Sequence, residues 1–240
     1  MTVLDPTGCG KTTHMRMVAG FEGADSGDIL IDASKVMGPG PDRVTVFQQP
    51  GLYPWLNVRH DVAFGLRTTS RHVDWTRVDA IISTAGLSDY GTYAPYELSG
   101  GVQQRVALAR SLVMRPGMLL MDEPFAALDA HLRRGMQNFL LELCAEFETT
   151  VLFVTHDVEE VLVIGERVVV MGTSPGRILD ARAVHPLRDD VIDNPHYREL
   201  RPKAVELLGL GRPESVRGLE LFGQRQPRFL SMSELRLDLG

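Results

Sequence analysis

Three short strings in this chain combine residue types that could do chemistry. In the first, Asp5-Pro-Thr-Gly-Cys-Gly-Lys-Thr-Thr13, small residues surround a lysine and two threonines. Gly8, Cys9 and Gly10 leave room for backbone N–H groups to cradle phosphate oxygens. A helix opening here adds a partial positive charge, and Lys11 adds a full one. The hydroxyl of Thr12, followed by Thr13, could ligate Mg²⁺. The pattern G-x-x-x-x-G-K-[ST] is met at Gly10, Lys11 and Thr12, but its first position is Asp5. A carboxylate there brings negative charge toward a polyphosphate and is expected to weaken binding. In the second string, the apolar run Leu119-Leu120-Met121 ends in Asp122-Glu123-Pro124. Asp122 suits the hydration shell of Mg²⁺, and Glu123 suits polarising a water for in-line attack on a terminal phosphate. In the third, Leu98-Ser99-Gly100-Gly101-Val102-Gln103-Gln104-Arg105, a serine and two glycines precede helical periodicity. An exposed helix start of this kind is a second anion-seeking surface. Read singly, each string has an ordinary alternative: a glycine-rich turn with a surface lysine, an acidic turn, and an N-capped helix.

These residues need elements to place them. Short apolar runs at Thr2–Leu4, Asp28–Ile31, Val44–Gln48, Met118–Met121, Val151–Val154 and Arg167–Met171 have strand length. Helical periodicity is expected over Lys11–Ala19, Trp75–Ala85, Val102–Met114, Ala130–Phe147 and Val158–Ile164, with Gly20 stopping the first helix. Strands alternating with helices predict an α/β fold with a mostly parallel sheet. From about Asn57 to Met114 no strong strand run occurs, so this stretch is expected to be a helical insertion. The expected division is a core of residues 1–56 and 115–208, a helical subdomain of residues 57–114, and a tail of residues 209–240. The tail is rich in Gly, Pro and Arg, without clear periodicity.

The whole chain bounds the function class. Its 240 residues suffice for a sizeable core, and 44% hydrophobic with 23% charged residues is ordinary for a globular protein. The net charge of −6 argues against a general nucleic-acid binder. Two cysteines, Cys9 and Cys144, do not make a disulfide framework, which points to a reducing compartment. No apolar run approaches the ~20 residues that span a bilayer, and no signal peptide is evident at the N-terminus.

The three strings, in this order, resemble the signature of the ATP-binding-cassette (ABC) ATPases. Further pieces fall in the family's order. Gln48 resembles the glutamine that touches Mg²⁺ and senses the permease, and Ala127-Leu128-Asp129 resembles the loop that couples two sites across a dimer. His156, within Thr155-His156-Asp157, resembles the switch histidine that contacts the γ-phosphate. The resemblance implies the P-loop NTPase fold and an ATPase using ATP and Mg²⁺. Glu123 and His156 would be catalytic. Gly8, Cys9, Gly10, Lys11, Thr12, Thr13, Ser99, Gly100, Gly101, Gln103 and Asp129 would bind nucleotide, and Thr12, Gln48 and Asp122 the metal.

The strings Gly51-Leu-Tyr-Pro-Trp-Leu-Asn57 and Ser174-Pro-Gly-Arg-Ile178 look like those of importer ATPases for nitrate, sulfonate, taurine and related solutes. That implies a homodimer at the cytoplasmic face of the plasma membrane, attached to permease subunits. A periplasmic or extracellular solute-binding protein would act indirectly, and nucleic acid would not be a partner. Tyr53 and Trp55 would face the permease. Family members carry strands and an adenine-stacking aromatic before the phosphate loop, so the chain is expected to be N-terminally shortened, with an open edge in its sheet. Asp5 and this short start motivate an alternative, a degenerate, non-hydrolysing subunit that docks on a permease. ABC ATPases acting on DNA or ribosomes carry coiled-coil insertions or paired cassettes, which this chain lacks.

Overall fold

The computed structural model describes residues 1–4, 10–69, 72–172 and 176–183. In chain order the elements are β1 (Thr2–Leu4), α1 (Lys11–Ala19), β2 (Leu30–Ile31), β3 (Ser34–Lys35) and β4 (Arg43–Val46). Next come α2 (Val58–Val62), α3 (Phe64–Thr69), α4 (Trp75–Thr84) and α5 (Gly100–Leu112). The chain continues through β5 (Met118–Asp122), α6 (Ala130–Phe147), β6 (Thr150–Thr155), α7 (Val158–Ile164), β7 (Arg167–Gly172) and β8 (Arg177–Ala183).

Six strands form one sheet in the order β4-β5-β6-β1-β7-β8. Every neighbouring pair is parallel except β7–β8. Parallel strands need crossover helices on both faces, which buries both sides of each strand. The side chains follow that logic. In β5, Leu119 and Met121 join the cluster beneath α2–α6, while Met118 and Leu120 face Met15 and Val18 of α1. In β6, Phe153 lies on the first side, and Leu152 and Val154 lie on the second. The period-two alternation therefore separates two cores rather than core from solvent.

β1 is short but central, with Thr2–Leu4 paired to β6 on one side and β7 on the other. Among the described residues the edges of this sheet are β4 and β8, with β1 inside it. β2 and β3 make a separate antiparallel pair. The helix expectations for α1, α6 and α7 match the observed bounds, and α5 starts two residues earlier than its apolar period, at Gly100. The pair β3 and β8 had no expectation. Ser34-Lys35 is two exposed residues, too short for any periodic signal.

Two helix ends show why glycine is needed. Gly20 closes α1 at φ 81°, and a Cβ there would lie 2.3 Å from the carbonyl carbon and oxygen of Gly38. Gly10 opens α1 at φ 98° with open space around it, so its requirement is conformational rather than steric.

Candidate functional site

Four adjacent parallel strands deliver the candidate residues to one edge of the sheet. Gln48 lies two residues beyond β4, Asp122 ends β5 with Glu123 next, His156 follows β6, and the segment after β1 leads into Lys11. Because the strands are parallel, their C-terminal ends open on the same side. The crevice outside such ends is where open α/β sheets place ligands.

The contacts along that edge are specific. The Thr12 hydroxyl donates to Asp122 Oδ2 at 3.0 Å. Burial pushes the Asp122 carboxyl above its ordinary range, and neighbouring Glu123 adds to this. The Thr12 hydrogen bond and the charges of Lys11 and Arg16 pull the other way. Lys11 is only 7% exposed, unusual for a lysine, whose charge must be compensated when buried. Glu123 Oε1 lies 3.2 Å from Nδ1 of His156, whose side chain is 57% exposed. Glu123 has φ 45°, a left-handed conformation that a non-glycine residue holds only where the surroundings enforce it. Here its N–H donates to the Val154 carbonyl and its own carbonyl accepts from Ala126. The backbone strain and the carboxylate placement therefore have the same origin.

Helix starts in this protein fall into two kinds. Asn57, Asp74, Asp129 and Asp157 each accept hydrogen bonds from the first N–H groups of α2, α4, α6 and α7. α1 starts at Gly10 and α5 at Ser99, and neither has a side-chain cap. Ser99 has extended geometry suited to capping, yet its hydroxyl makes no bond to its own helix. Ser99 and Gly100 are exposed, while Gly101 is buried against Leu132. Neither Gly10 nor Ser99 caps its helix through a side chain, and α1 and α5 are the two helices picked out as anion-seeking.

The remaining expected residues are placed as follows. Thr13 is exposed on the first turn of α1, beside Thr12. The Gln103 side-chain nitrogen donates to the carbonyls of Pro95 (2.8 Å) and Leu98 (3.3 Å), pinning the turn before Ser99. Asp129 accepts from the N–H groups of His131 and Leu132, so it caps α6. Gln48 is exposed. Asp5, Gly8 and Cys9, together with Ser174 and Pro175 of the importer-like string, lie outside the described residues.

Sequence reasoning passed over two arginines. Arg110 of α5 donates to the carbonyls of Pro50 and Gly51 and to Asp61, whose carboxylate also accepts the Tyr53 N–H. These bonds tie the segment just after Gln48 to α2 and α5. Burial pushes the Asp61 carboxyl up, while Arg110 and Tyr53 hold it down. Arg133 of α6 bridges the turn at Leu128 and the loop at Asp157. No linear pattern announces either, since their partners lie 49 and 24 residues away.

Hard oxygen donors on Thr12 and Asp122 fit Mg²⁺. Among the described residues, no group of three or more His, Cys, Asp or Glu is placed to hold a metal unaided.

Comparison with known proteins agrees with this geometry. The ABC transporter family model matches residues 1–126. The taurine import ATP-binding protein of Roseobacter denitrificans is 47% identical over 217 residues, covering 88% of this chain and 81% of the relative. An ABC transporter ATP-binding protein of Methanocaldococcus jannaschii is 42% identical over 210 residues, covering 87% of this chain and 79% of that one. Among solved structures, cbiO1 of Clostridium perfringens, part of the ABC transporter complex cbiONQ, superposes with a TM-score of 0.71 at 27% identity. It covers 88% of this chain and 83% of that one. A dimeric ATP-binding cassette in a post-hydrolysis state with ADP and Pi gives 0.65 at 28% identity, over 77% and 84%. Nothing in these likenesses supports the degenerate, non-hydrolysing alternative. With the strand ends, the two uncapped helices and this similarity in agreement, the chain belongs to the ABC transporter family as one of its ATP-binding, ATP-hydrolysing subunits.

Proposed function

We propose that this chain powers the import of a small solute, with taurine, sulfonates and nitrate as the solute class, by coupling MgATP binding and hydrolysis to a membrane permease. The observation that carries the reading is the convergence of Lys11, Thr12, Gln48, Asp122, Glu123 and His156 at one edge of the parallel sheet. The taurine import relatives support the solute class.

In this reading Lys11 and the N-terminal end of α1 hold the β- and γ-phosphates. Thr12 and Asp122, together with Gln48, would hold Mg²⁺, which when bound would neutralise phosphate charge. Glu123 takes the proton from the attacking water. His156, in contact with Glu123, holds the carboxylate in place and reaches toward the γ-phosphate. Catalysis here is positioning and charge stabilisation, since the phosphoryl group needs little else from the protein.

Ser99, Gly100 and Gly101 would complete the site of a second copy. The dimeric cassette with ADP and Pi supports such an arrangement. The exposed Ser99 hydroxyl, which does not cap its own helix, is suited to that task. The division into a core of 1–56 and 115–208, an inserted helical subdomain of 57–114 and a tail of 209–240 belongs to this reading; residues 184–240 lie outside the described residues. Trp55, 73% exposed, and Tyr53, which stacks on Trp55 and Phe64, would receive the permease. Among the described residues no helix is long and apolar enough to cross a membrane, so attachment would come through the permease at the cytoplasmic face. A solute-binding protein would reach this chain only through that permease.

The test is MgATP hydrolysis by the wild-type chain beside Glu123→Gln. The expected result is retained MgATP binding with turnover lowered at least about 10²-fold, the scale of a lost general base. Normal turnover in the variant would remove Glu123 from this role.

A further inference from the structure

Arg133 stands on the first turn of α6, four residues after the capping Asp129, and its guanidinium folds back over the start of its own helix. One nitrogen, Nη2, donates to the Leu128 carbonyl at 3.1 Å. Another, Nη1, donates to Asp157 Oδ2 at 3.0 Å. The third, Nε, is buried without a hydrogen-bond partner and lies 3.9 Å from Glu160 Oε1.

Two of these partners, Asp157 and Glu160, follow His156 closely in the chain. Asp157 follows it and caps α7 through the Glu159 N–H at 2.8 Å. Thr155 precedes it, accepting the Asp157 N–H at 3.0 Å and donating to Glu160 Oε2 at 2.5 Å. Glu160 is buried, with a side chain only 4% exposed. His156 itself meets Glu123 at 3.2 Å. A planar five-donor head is what such a three-way bridge requires, and lysine could not reproduce it.

We propose that Arg133 is a positioning residue that couples the turn ending in Asp129 to the loop carrying His156, and so keeps His156 in register with Glu123. The proposal rests on the roles given above to Glu123 and His156. A displacement of the 126–129 turn pulls on the Leu128 carbonyl, and the rigid guanidinium passes it to Asp157, one bond from the histidine. The Nε–Glu160 gap lets the bridge tighten, because an approach of about 1 Å completes a hydrogen bond there. A second copy pressing on the 126–129 turn would therefore be felt at His156.

The test compares wild type, Arg133→Gln, Arg133→Lys and the double variant Arg133→Gln/Glu160→Gln. MgATP turnover is measured with kcat and KM separated. The ring nitrogens of His156 are followed by NMR in nucleotide-free protein, their signals assigned by their loss in His156→Gln. Arg133→Gln is expected to keep KM within about 3-fold and to lower kcat at least about 10-fold, since a 1 Å misplacement can cost about 10²-fold. The His156 signals are expected to shift, with Arg133→Lys intermediate. If Arg133 only neutralised buried Glu160, the double variant would recover kcat, and that recovery would overturn the proposal. Unchanged His156 signals in Arg133→Gln would overturn it as well. Should Arg133→Gln fail to fold because Glu160 is left unpaired, the double variant decides: low kcat with shifted signals supports the coupling, and wild-type values refute it. Absence of turnover in the wild-type chain would refute the hydrolytic reading, while the NMR comparison still tests the link from Arg133 to His156.

Discussion

The edge of the parallel sheet and the start of α5 both point to phosphate, but they are built differently. At the sheet edge, side chains already engage one another: Thr12 with Asp122, and Glu123 with His156. At α5, the chain offers backbone and an exposed Ser99 hydroxyl with no bond to its helix. One region is preorganised within a single chain. The other has no side-chain cap from Ser99. Aspartate and asparagine cap α2, α4, α6 and α7, so a bare start is a departure from this protein's own habit.

The comparison can be broken most sharply at Lys11. Lys11→Ala is expected to weaken MgATP binding by about 10²-fold or more, because in the proposed site it removes the cation that would pair with phosphate. Titration with a fluorescent ATP analogue measures this, and near wild-type affinity would place the anion site elsewhere. Ser99→Ala tests the other region. If Ser99 completes the site of a second copy, as proposed, this should leave nucleotide affinity of the isolated subunit unchanged while lowering turnover about 10-fold. Equal loss of affinity would mean that α5 contributes to the site of its own chain.

Thermal unfolding separates the two kinds of helix start. Asp129→Ala removes two capping bonds and is expected to cost about 1 kcal/mol, whereas Ser99→Ala should stay within about 0.5 kcal/mol of wild type. The smallest effect concerns Asp122. Its pKa is raised in the folded protein, so the native state holds a proton more readily than the unfolded chain. That contribution to stability is full below the unfolded carboxylate value and is lost as pH rises through the folded one. Nucleotide-free Asp122→Asn should therefore be slightly more stable than wild type near neutral pH. The gain should vanish on acidification toward ordinary carboxylate values, and chemical denaturation at several pH values would show whether it does.

Strand and helix identities around the site were legible because each has a local cause. α1 needs Gly10 before it and Gly20 after it, and α6 and α7 each begin at an aspartate that can cap. β5 and β6 are short apolar runs buried on both faces, and β6 adds β-branched valines and threonines. The short helices α2 and α3 and the β2–β3 pair were less legible. They are five, six and two residues long, below the span over which periodicity speaks.

Taken alone, the sequence determined which residues could do the chemistry, since Lys11, Asp122, Glu123, Ser99 and His156 declare themselves by type and by neighbours. It also determined that strands alternate with helices. Tertiary structure alone decided the order β4-β5-β6-β1, which brings residues more than 100 positions apart to one edge. It decided that Glu123 faces His156, that Arg110 locks the segment after Gln48 to Asp61, and that Arg133 joins two loops around His156. The reason is physical. Propensity, capping and periodicity act over a few residues and are written locally. Strand order and long side-chain bridges depend on which buried surfaces meet, a property of the whole packed chain.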